Sequence, residues 1–330
     1  MTSSRSVQVN LEATPYYHCM TRCVRRSFLC GVDSYTNKDY SHRKEWMLAR
    51  LKTLASVFSI KICAYAIMAN HYHLVLHVDA ATATQWSDTE VVQRWSAIYP
   101  RDARLNAKKK LKVLEWRSRL YDISWFMRCL NEPLARTANK EDCCKGRFWE
   151  GRFKSQALLD EGAVLSAMVY VDLNPIRAGI ANTPEESEFT SIYERIKTLK
   201  NQLNIDELKN YRESLNDAKQ TKYLSPLKNT VENESYGTID IPLCDYLDLV
   251  DYTGRAVREN KRGSIPPHLE SILQRLQLNN SGWFSLIQNF SNSFSYAIGN
   301  EYCLRDFSQR QKRKRVIKGL NAAKQSYLAA

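Results

Sequence analysis

The order of strands and helices along this 330-residue sequence predicts an α+β fold. Two observations carry the prediction: apolar runs with the period of two that is typical of strands, and longer segments with helical periodicity between those runs. The predicted elements are a strand (16–23), a helix (39–58), two strands (59–68 and 71–79), a helix (125–140) and a strand region (146–159). This β-α-β-β-α-β order is the ferredoxin-like pattern, for which we expect an antiparallel sheet with helices on one face and the other face open.

Each of these elements has its own local signal. The first strand is the β-rich run YYHCMTRC. The helix over residues 39–58 carries an apolar stripe made of Trp46, Leu48, Leu51, Leu54, Ala55 and Phe58. The two strands that follow meet at Ala69 and Asn70, which favours a hairpin. Pro133 predicts a kink in the second helix, because proline cannot donate the main-chain hydrogen bond of a helix interior.

Four other regions complete the organisation of the chain. Residues 80–122 are charged and polar and predict a mostly helical insertion. Residues 196–240 predict a polar connector, and residues 241–302 show the apolar periodicity of a helical C-terminal domain. Residues 303–330 contain a dense basic run and predict a basic tail. The sequence therefore predicts a mostly helical C-terminal extension after the sheet.

The charge of the chain indicates a polyanionic partner. Hydrophobic residues make up 44% and charged residues 25%, as in ordinary globular proteins, but the net charge is +13. A basic protein without any nucleic-acid role is the alternative interpretation. Nine cysteines occur without a Cys-x-x-Cys pair, and no apolar run approaches the ~18 residues of a membrane span. Together with a polar N-terminus, these features predict a reduced, cytoplasmic protein that does not enter a membrane.

His71 and His73 form the most informative pair in the sequence. On a strand, side chains alternate with period two, so both imidazoles point to one face while Tyr72 points to the other. A divalent metal needs such a pair on a rigid element. His77 shares the face but lies roughly 13 Å beyond His73 at ~3.3 Å per residue, so we interpret it as structural. A pair of this kind in a strand is more often incidental, and the metal hypothesis depends on a partner elsewhere.

That partner is the segment 161–179, whose apolar residues favour a short helix and which carries Tyr170 and Asn174. Four residues separate the two, so on a helix they lie about one turn apart on one face, and Pro175 predicts the end of the helix nearby. A phenolic oxygen can attack phosphorus, and an amide oxygen can bind a hard metal beside it. The open alternative is that Tyr170 packs in the core and Asn174 caps the helix.

Four blocks in this order carry a resemblance to a known family: YYHCMTRC, ANHYHLVLHV, GRFWEGRFKSQAL and YVDLNPIRAG. The chain resembles the single-tyrosine HUH transposases, in particular the REP-associated tyrosine transposases, over roughly residues 10–195. The resemblance implies a catalytic domain there in which His71, His73 and Asn174 hold Mg²⁺ or Mn²⁺. It also implies that Tyr170 attacks single-stranded DNA with hairpin or palindromic ends, leaving a 5′-phosphotyrosine bond. One tyrosine per chain, acting on two DNA ends, indicates a homodimer.

Cationic side chains supply candidate DNA contacts in three places: the first strand with the loop after it, the GRFWEGRFKSQ block, and a run near the C-terminus. In GRFWEGRFKSQ the cations alternate with aromatic residues, a pattern in which cations bind phosphates and aromatic rings stack on bases. The strand aromatics could equally be core residues, and we expect at least one of Phe148 and Phe153 to be buried. A basic run near the C-terminus is most often solvated, although on a DNA enzyme it can contact phosphates. The candidate DNA-binding residues are Arg22, Arg25, Arg26, Arg147, Arg152, Lys154, Lys312, Arg313, Lys314 and Arg315.

Two other functions fit the same residues. The first is an HUH nicking enzyme of the replication-initiator type, which cleaves DNA without joining two ends. The second is a non-catalytic regulator that binds nucleic acid on an open sheet. The presence of a histidine pair together with Tyr170 and Asn174 argues against the regulator, since binding alone needs neither a metal pair nor a positioned phenol.

Overall fold

The structure is a computed structural model of the chain. It describes residues 8–24, 30–32, 37–100, 107–202, 219–228, 238–259, 273–311 and 317–328. Several predicted DNA contacts lie outside the described residues, namely Arg25, Arg26, Lys312, Arg313, Lys314 and Arg315.

A mixed sheet forms the centre of the described structure, and the predicted α+β class is confirmed. Its strands are β1 (Tyr16–Arg22), β2 (Ile60–Ile67), β3 (His71–Val78), β4 (Lys154–Leu158) and, from the C-terminal region, β7 (Ala297–Ile298). Their order is β2-β3-β1-β4-β7. The first three neighbouring pairs are antiparallel, whereas β7 runs parallel to β4. Two short strands, β5 (Leu227–Lys228) and β6 (Ile239–Pro242), form a separate parallel pair.

Helices occupy the connections between the strands. In the first half of the chain they are α1 (His42–Val57), α2 (Ala80–Gln85), α3 (Asp88–Ile98), α4 (Ala107–Arg119) and α5 (Ile123–Glu141). In the second half they are α6 (Glu161–Asp172), α7 (Asn174–Arg177), α8 (Ser191–Lys200), α9 (Leu243–Glu259), α10 (Asn280–Ser293), α11 (Glu301–Arg310) and α12 (Leu320–Ser326). α5 continues through Pro133.

Helices pack on both faces of the sheet, so the expectation of one open face is wrong. On one face, α5 meets the sheet where the Tyr72 hydroxyl donates to Asn131 Oδ1 at 2.5 Å, and α1 packs against α5. On the other face, α6 packs against β2, β3 and β4. The reason lies in α6 itself: residues 162–172 are all buried, and a helix without a polar face must be enclosed on every side.

The C-terminal region completes this enclosure. α10 packs against α6, and β7 adds a strand to the edge of the sheet beside β4. α12 packs against both α10 and α11. Buried side chains in the region that composition assigns to a basic tail include Leu304, Phe307, Ala323 and Tyr327. One hydrophobic core therefore contains residues from the sheet and from the C-terminal helices.

Helix length, cysteine burial and two aromatic side chains are further features of the described structure. Among the helices that the structure describes, none is long and apolar enough to cross a membrane. Six of the nine cysteines are buried, as packing residues should be: Cys19, Cys23, Cys30, Cys63, Cys129 and Cys244. Phe148 is buried, whereas Phe153 is only partly so.

Candidate active site

Three histidines meet on the face of the sheet that α6 covers. The rings of His71 and His73 are 5.1 Å apart, which agrees with the same-face prediction for β3. The third is His18, whose ring centroid lies 5.1 Å from that of His73. It comes from β1, which pairs with β3 so that Met20 lies opposite His73 and Arg22 opposite His71. Alternation along β1 then puts His18, Met20 and Arg22 on the histidine face.

A chain of hydrogen bonds joins β4, β1 and β3 across this face. Gln156 Oε1 lies 2.8 Å from His18 Nδ1, and His18 Nε2 lies 2.9 Å from His73 Nδ1. Burial lowers the pKa of His18 to about 4, and burial together with the neighbouring His18 holds the pKa of His73 well below its usual range. Both rings are therefore neutral at physiological pH.

His71 stands at the more open end of the cluster. Its Nδ1 lies 2.6 Å from Asn70 Oδ1. Because an amide oxygen only accepts hydrogen bonds, His71 Nδ1 carries the proton and Nε2 keeps its lone pair. Burial, and to a lesser extent the charge of Arg22, lower the pKa of His71 to about 4. This ring is also neutral at pH 7 and can act as a metal ligand.

Tyr170 projects from α6 into the histidine cluster. Its ring centroid is 5.7 Å from that of His73 and 6.1 Å from that of His18, and both contacts are edge-on. Phe290 of α10 stacks on its ring at 4.5 Å, and the Arg177 guanidinium lies 4.6 Å from the ring centroid. Only 5% of the Tyr170 surface is exposed.

The Tyr170 hydroxyl differs from those of the other buried tyrosines. Five of these have a hydrogen-bonded hydroxyl: Tyr17 with Asn10, Tyr65 with Tyr223, Tyr72 with Asn131, Tyr246 with Asp172, and Tyr327 with Asp160. Within the part of the chain that the structure describes, the Tyr170 hydroxyl makes no such bond. The ring is buried, but the hydroxyl oxygen is not among the fully enclosed atoms that lack a partner, so it is accessible to solvent while ring contacts hold the side chain in place.

Asn174 lies one turn beyond Tyr170, but its amide nitrogen is already engaged. Asn174 Nδ2 donates to the carbonyl oxygens of Tyr170 at 3.0 Å and Val171 at 3.3 Å. α6 ends at Asp172, and Pro175 lies in the first turn of α7. The amide therefore caps α6, as the alternative interpretation of the sequence has it. Its oxygen is the atom that a metal could use.

The residues present fit a divalent cation only as a mixed set. Among the described residues, no group of three or more His, Cys, Asp or Glu side chains has the arrangement of a metal site. The available donors are imidazole nitrogens of His71 and His73 and the amide oxygen of Asn174. Neutral imidazoles with one nitrogen already hydrogen-bonded are the usual form of histidine ligands, and Mn²⁺ accepts such nitrogen and oxygen donors together.

A cavity of about 630 Å³ opens beside the cluster. His18 and His73 line it, as do the cationic residues Arg22, Arg152 and Lys154. These three cations are exposed, and Arg22 lies 3.7 Å from Glu150 in a loose ion pair. Three of the predicted DNA contacts thus surround one cavity.

Arg147 is exposed as well, but it is not among the residues that line this cavity. It shares charge and exposure with the three cavity cations and differs from them in position.

Sequence reasoning missed four residues of the site: His18, Gln156, Arg177 and Phe290. For His18 a signal existed, because it lies four residues before Arg22, a candidate DNA contact, in the predicted first strand and so shares a face with it. For Phe290, which is 120 positions from Tyr170 in the chain, no local pattern points to the contact.

Comparisons with known proteins give one distant likeness. No protein-family model and no curated protein matches the chain. Among solved structures, a REP-associated tyrosine transposase bound to a REP hairpin is similar over 63% of this chain and 92% of its own. The identity is 11% and the TM-score 0.38. A likeness at this level carries no conclusion about the family or function of this chain.

Proposed function

We propose that this protein is a metal-dependent transposase that cleaves and rejoins single-stranded DNA through a tyrosine nucleophile. The observation that carries the proposal is the Tyr170 hydroxyl. It belongs to a buried ring in contact with His73, and among the described residues it makes no hydrogen bond. The hydroxyl oxygen itself is accessible to solvent, and a nucleophile must keep its oxygen available for the reacting atom in this way.

The remaining residues have defined parts in this reaction. His71, His73 and Asn174 are the side chains that would hold Mg²⁺ or Mn²⁺, which when bound polarises the scissile phosphate. The Tyr170 oxygen attacks the phosphorus in line, and its proton leaves to solvent or to a nearby base. The P–O3′ bond breaks, and the products are a 5′-phosphotyrosine and a free 3′-hydroxyl. A second 3′-hydroxyl can reverse the step and join a new strand without ATP, because the phosphodiester energy is retained.

The fold and the cavity support this proposal. The order β2-β3-β1-β4 with antiparallel pairing is the one expected of a ferredoxin-like βαββαβ unit. Arg22, Arg152 and Lys154 around the cavity would contact phosphates of a single strand that leads to His73. We also propose hairpin or palindromic DNA ends as the substrate, a homodimer as the active form and the cytoplasm as the location. A replication-initiator type of nickase would use the same residues without strand joining.

A second candidate, a non-catalytic nucleic-acid-binding regulator, is favoured by two specific contacts. Phe290 stacks on Tyr170 at 4.5 Å and helps to bury it, and the Asn174 amide caps α6. Both contacts are what a purely structural tyrosine and asparagine would make. The two candidates differ in one measurable property, the formation of a covalent protein–DNA bond.

The deciding experiment incubates end-labelled single-stranded hairpin DNA with Mn²⁺ and the protein, followed by a denaturing gel. We expect a covalent adduct with the wild type and none with Tyr170→Phe. Tyr72→Phe is the matched control, because Tyr72 lies between the two histidines in sequence but faces the opposite side of the sheet, where it bonds Asn131. An adduct that persists in Tyr170→Phe would transfer the role to another tyrosine, and no adduct with any form would favour the regulator.

A further inference from the structure

We infer that His18 is a positioning residue that fixes, through its hydrogen bond to His73, which nitrogen of His73 carries the proton. The consequence for metal binding rests on the proposed function, whereas the hydrogen-bond chain stands on the contacts alone. Three residues form the chain, Gln156 on β4, His18 on β1 and His73 on β3. The pairing of these three strands brings them together, and no sequence motif does.

The direction of the chain is set at Gln156. Its amide nitrogen Nε2 lies 3.5 Å from the carbonyl oxygen of Phe294, to which it donates. The amide oxygen Oε1 therefore faces His18 Nδ1 at 2.8 Å. An amide oxygen can only accept, so the proton of His18 is on Nδ1.

The same logic then fixes His73. A neutral imidazole has one N–H group, so His18 Nε2 is left with a lone pair. The atom 2.9 Å away is His73 Nδ1, which must donate into that lone pair. The ring planes differ by only 7° and the centroids are 5.1 Å apart, which fits two rings that meet edge to edge through these nitrogens. His73 consequently carries its proton on Nδ1 and presents the lone pair of Nε2.

Burial makes the assignment stable. His18 is 4% exposed and His73 is 2% exposed, so neither ring can exchange its partner for water without local opening of the structure. A second proton on His18 would have to go on Nε2, where it would face the N–H of His73 Nδ1 and break the bond between the rings.

His71, the other histidine of the pair, carries its proton on the same ring nitrogen. His71 Nδ1 faces the amide oxygen of Asn70 at 2.6 Å, which leaves Nε2 of His71 with its lone pair as well. Both histidines of the pair thus have Nδ1 engaged and Nε2 available. Metal-binding histidines commonly donate their other N–H to a partner of this kind, and loss of that partner typically lowers metal affinity by roughly 10–100-fold.

The first measurement uses the full-length protein with ¹⁵N-labelled histidines and no added metal. Long-range ¹⁵N–¹H spectra report which ring nitrogen is protonated, and His73→Gln identifies the His73 signals. We expect His73 to be protonated on Nδ1 in the wild type. In His18→Phe, which keeps an aromatic ring but removes the acceptor, we expect the proton to move to Nε2. An Nε2-protonated His73 in the wild type would overturn the inference.

The second measurement is Mn²⁺ affinity by titration calorimetry. We expect His18→Phe to bind Mn²⁺ roughly 10–100-fold more weakly than the wild type. His18→Gln is the rescue variant, because its amide oxygen can reach the position of the imidazole Nε2 and accept from His73 Nδ1. We expect it to keep the Nδ1 tautomer and most of the affinity. Equal loss in both variants, or no loss in either, would show that His18 only packs.

Two further outcomes are separated by design. If His18→Phe does not fold, as judged by thermal unfolding, Gln156→Leu replaces it, since that change removes the acceptor that orients His18. It should increase the Nε2-protonated fraction of His73, and an unchanged tautomer would again contradict the chain. If the wild type binds no Mn²⁺, the metal part of the proposed function is wrong, and the tautomer measurement still decides the role of His18.

Discussion

Tyr170 and Asp172 are two residues apart on α6 and lie in two polar clusters with opposite properties. Asp172 is fully enclosed and saturated: Oδ1 accepts from the Ser191 hydroxyl at 2.5 Å and the Ile192 amide at 2.9 Å, and Oδ2 accepts from the Tyr246 hydroxyl at 2.5 Å. Tyr170, on the side of the histidines, has only ring contacts.

The difference separates a polar group that stabilises the fold from one that is available for chemistry. A buried carboxyl is tolerated only when its oxygens have partners, and those partners here connect α6 to α8 and α9. The hydroxyl of Tyr170 has no such partner among the described residues and is accessible to solvent, so its oxygen can meet a substrate. Changes on the Asp172 side should therefore alter stability, and changes on the histidine side should alter reactivity.

The largest effect should come from the histidine side. We expect His71→Ala to slow Mn²⁺-dependent cleavage of single-stranded DNA roughly 10³-fold. The physical reason is that loss of one metal ligand raises the activation barrier by several kcal/mol. His77→Asn is the matched control on the same strand and the same face, and it should keep cleavage per folded molecule. Circular dichroism verifies the fold of both variants. Equal cleavage rates for His71→Ala and wild type would show that His71 is not a ligand of a catalytic metal.

The cavity cations should give the next largest effect. Replacing Arg22, Arg152 and Lys154 together by Ala removes three phosphate contacts, so the slope of log affinity against log salt should fall by roughly 2 for a single strand. A fluorescence-anisotropy titration of single-stranded DNA between 50 and 200 mM salt, conditions chosen for the assay, measures the slope. Arg147→Ala removes a comparable exposed charge outside the cavity lining and should leave the slope nearly unchanged. A decrease of roughly 0.7 from Arg147→Ala, about one third of that from the triple variant, would mean that charge matters and position does not.

On the other side of α6, Asp172 should govern how stability depends on pH. Burial raises the pKa of Asp172 to about 6, while bonds from Ser191 and Tyr246 oppose the rise. A raised folded-state pKa means that the folded form holds the proton more tightly. The stability that this bound proton adds to the folded form is fully present below the unfolded pKa near 4. It is lost as pH rises through about 6, a change of about 3 kcal/mol in the free energy of unfolding.

Asp172→Asn removes that contribution, so its free energy of unfolding relative to wild type should rise between pH 4 and 6. Urea unfolding at several pH values measures the difference. Taking the difference matters because His18 and His71, with pKa values lowered to about 4, change stability in the opposite direction over an overlapping window. A difference in unfolding free energy that does not vary with pH would contradict a raised pKa for Asp172 in the folded protein.

The smallest effect compares one substitution on the two sides of α6. Tyr246→Phe leaves Asp172 Oδ2 without its donor and should cost roughly 1–3 kcal/mol of unfolding free energy. Tyr170→Phe removes a hydroxyl that bonds to no described residue and should change stability by less than about 0.5 kcal/mol. Thermal unfolding of both variants is sufficient. Similar losses in the two would mean that the Tyr170 hydroxyl has a structural partner after all.

The sequence predicts on which face of a strand a side chain lies better than it predicts which residues of other strands lie beside that side chain. Period-two alternation was enough to separate Tyr72 from His71 and His73, because the geometry of one strand determines it. The position of His18 beside His73 depends on the register between β1 and β3, which are about 55 residues apart and are paired only in the folded sheet. Periodicity within each strand does not contain that register.

The covered face could not be predicted for a related reason. Buried positions all around α6 indicate that it is enclosed, but they do not say by which segment. That segment is α10, over a hundred residues later, with Phe290 against Tyr170. The prediction of a mostly helical extension from apolar periodicity did not include β7, since two residues are too few to give a strand signal.

The pairing of β4 with β7 has a consequence for how the protein is made. Ala157 lies beside Ala297, so this edge of the sheet cannot close until the ribosome has added the residues that follow α6. At ~5–20 residues per second, the 126 residues between Asp172 and Ile298 take roughly 6 to 25 s to synthesise. During that interval the apolar surface of α6 has no C-terminal cover, and a nascent chain in this state exposes a surface that chaperones bind. A gene shortened so that its protein product ends before residue 290 should therefore yield aggregated protein and no active short form.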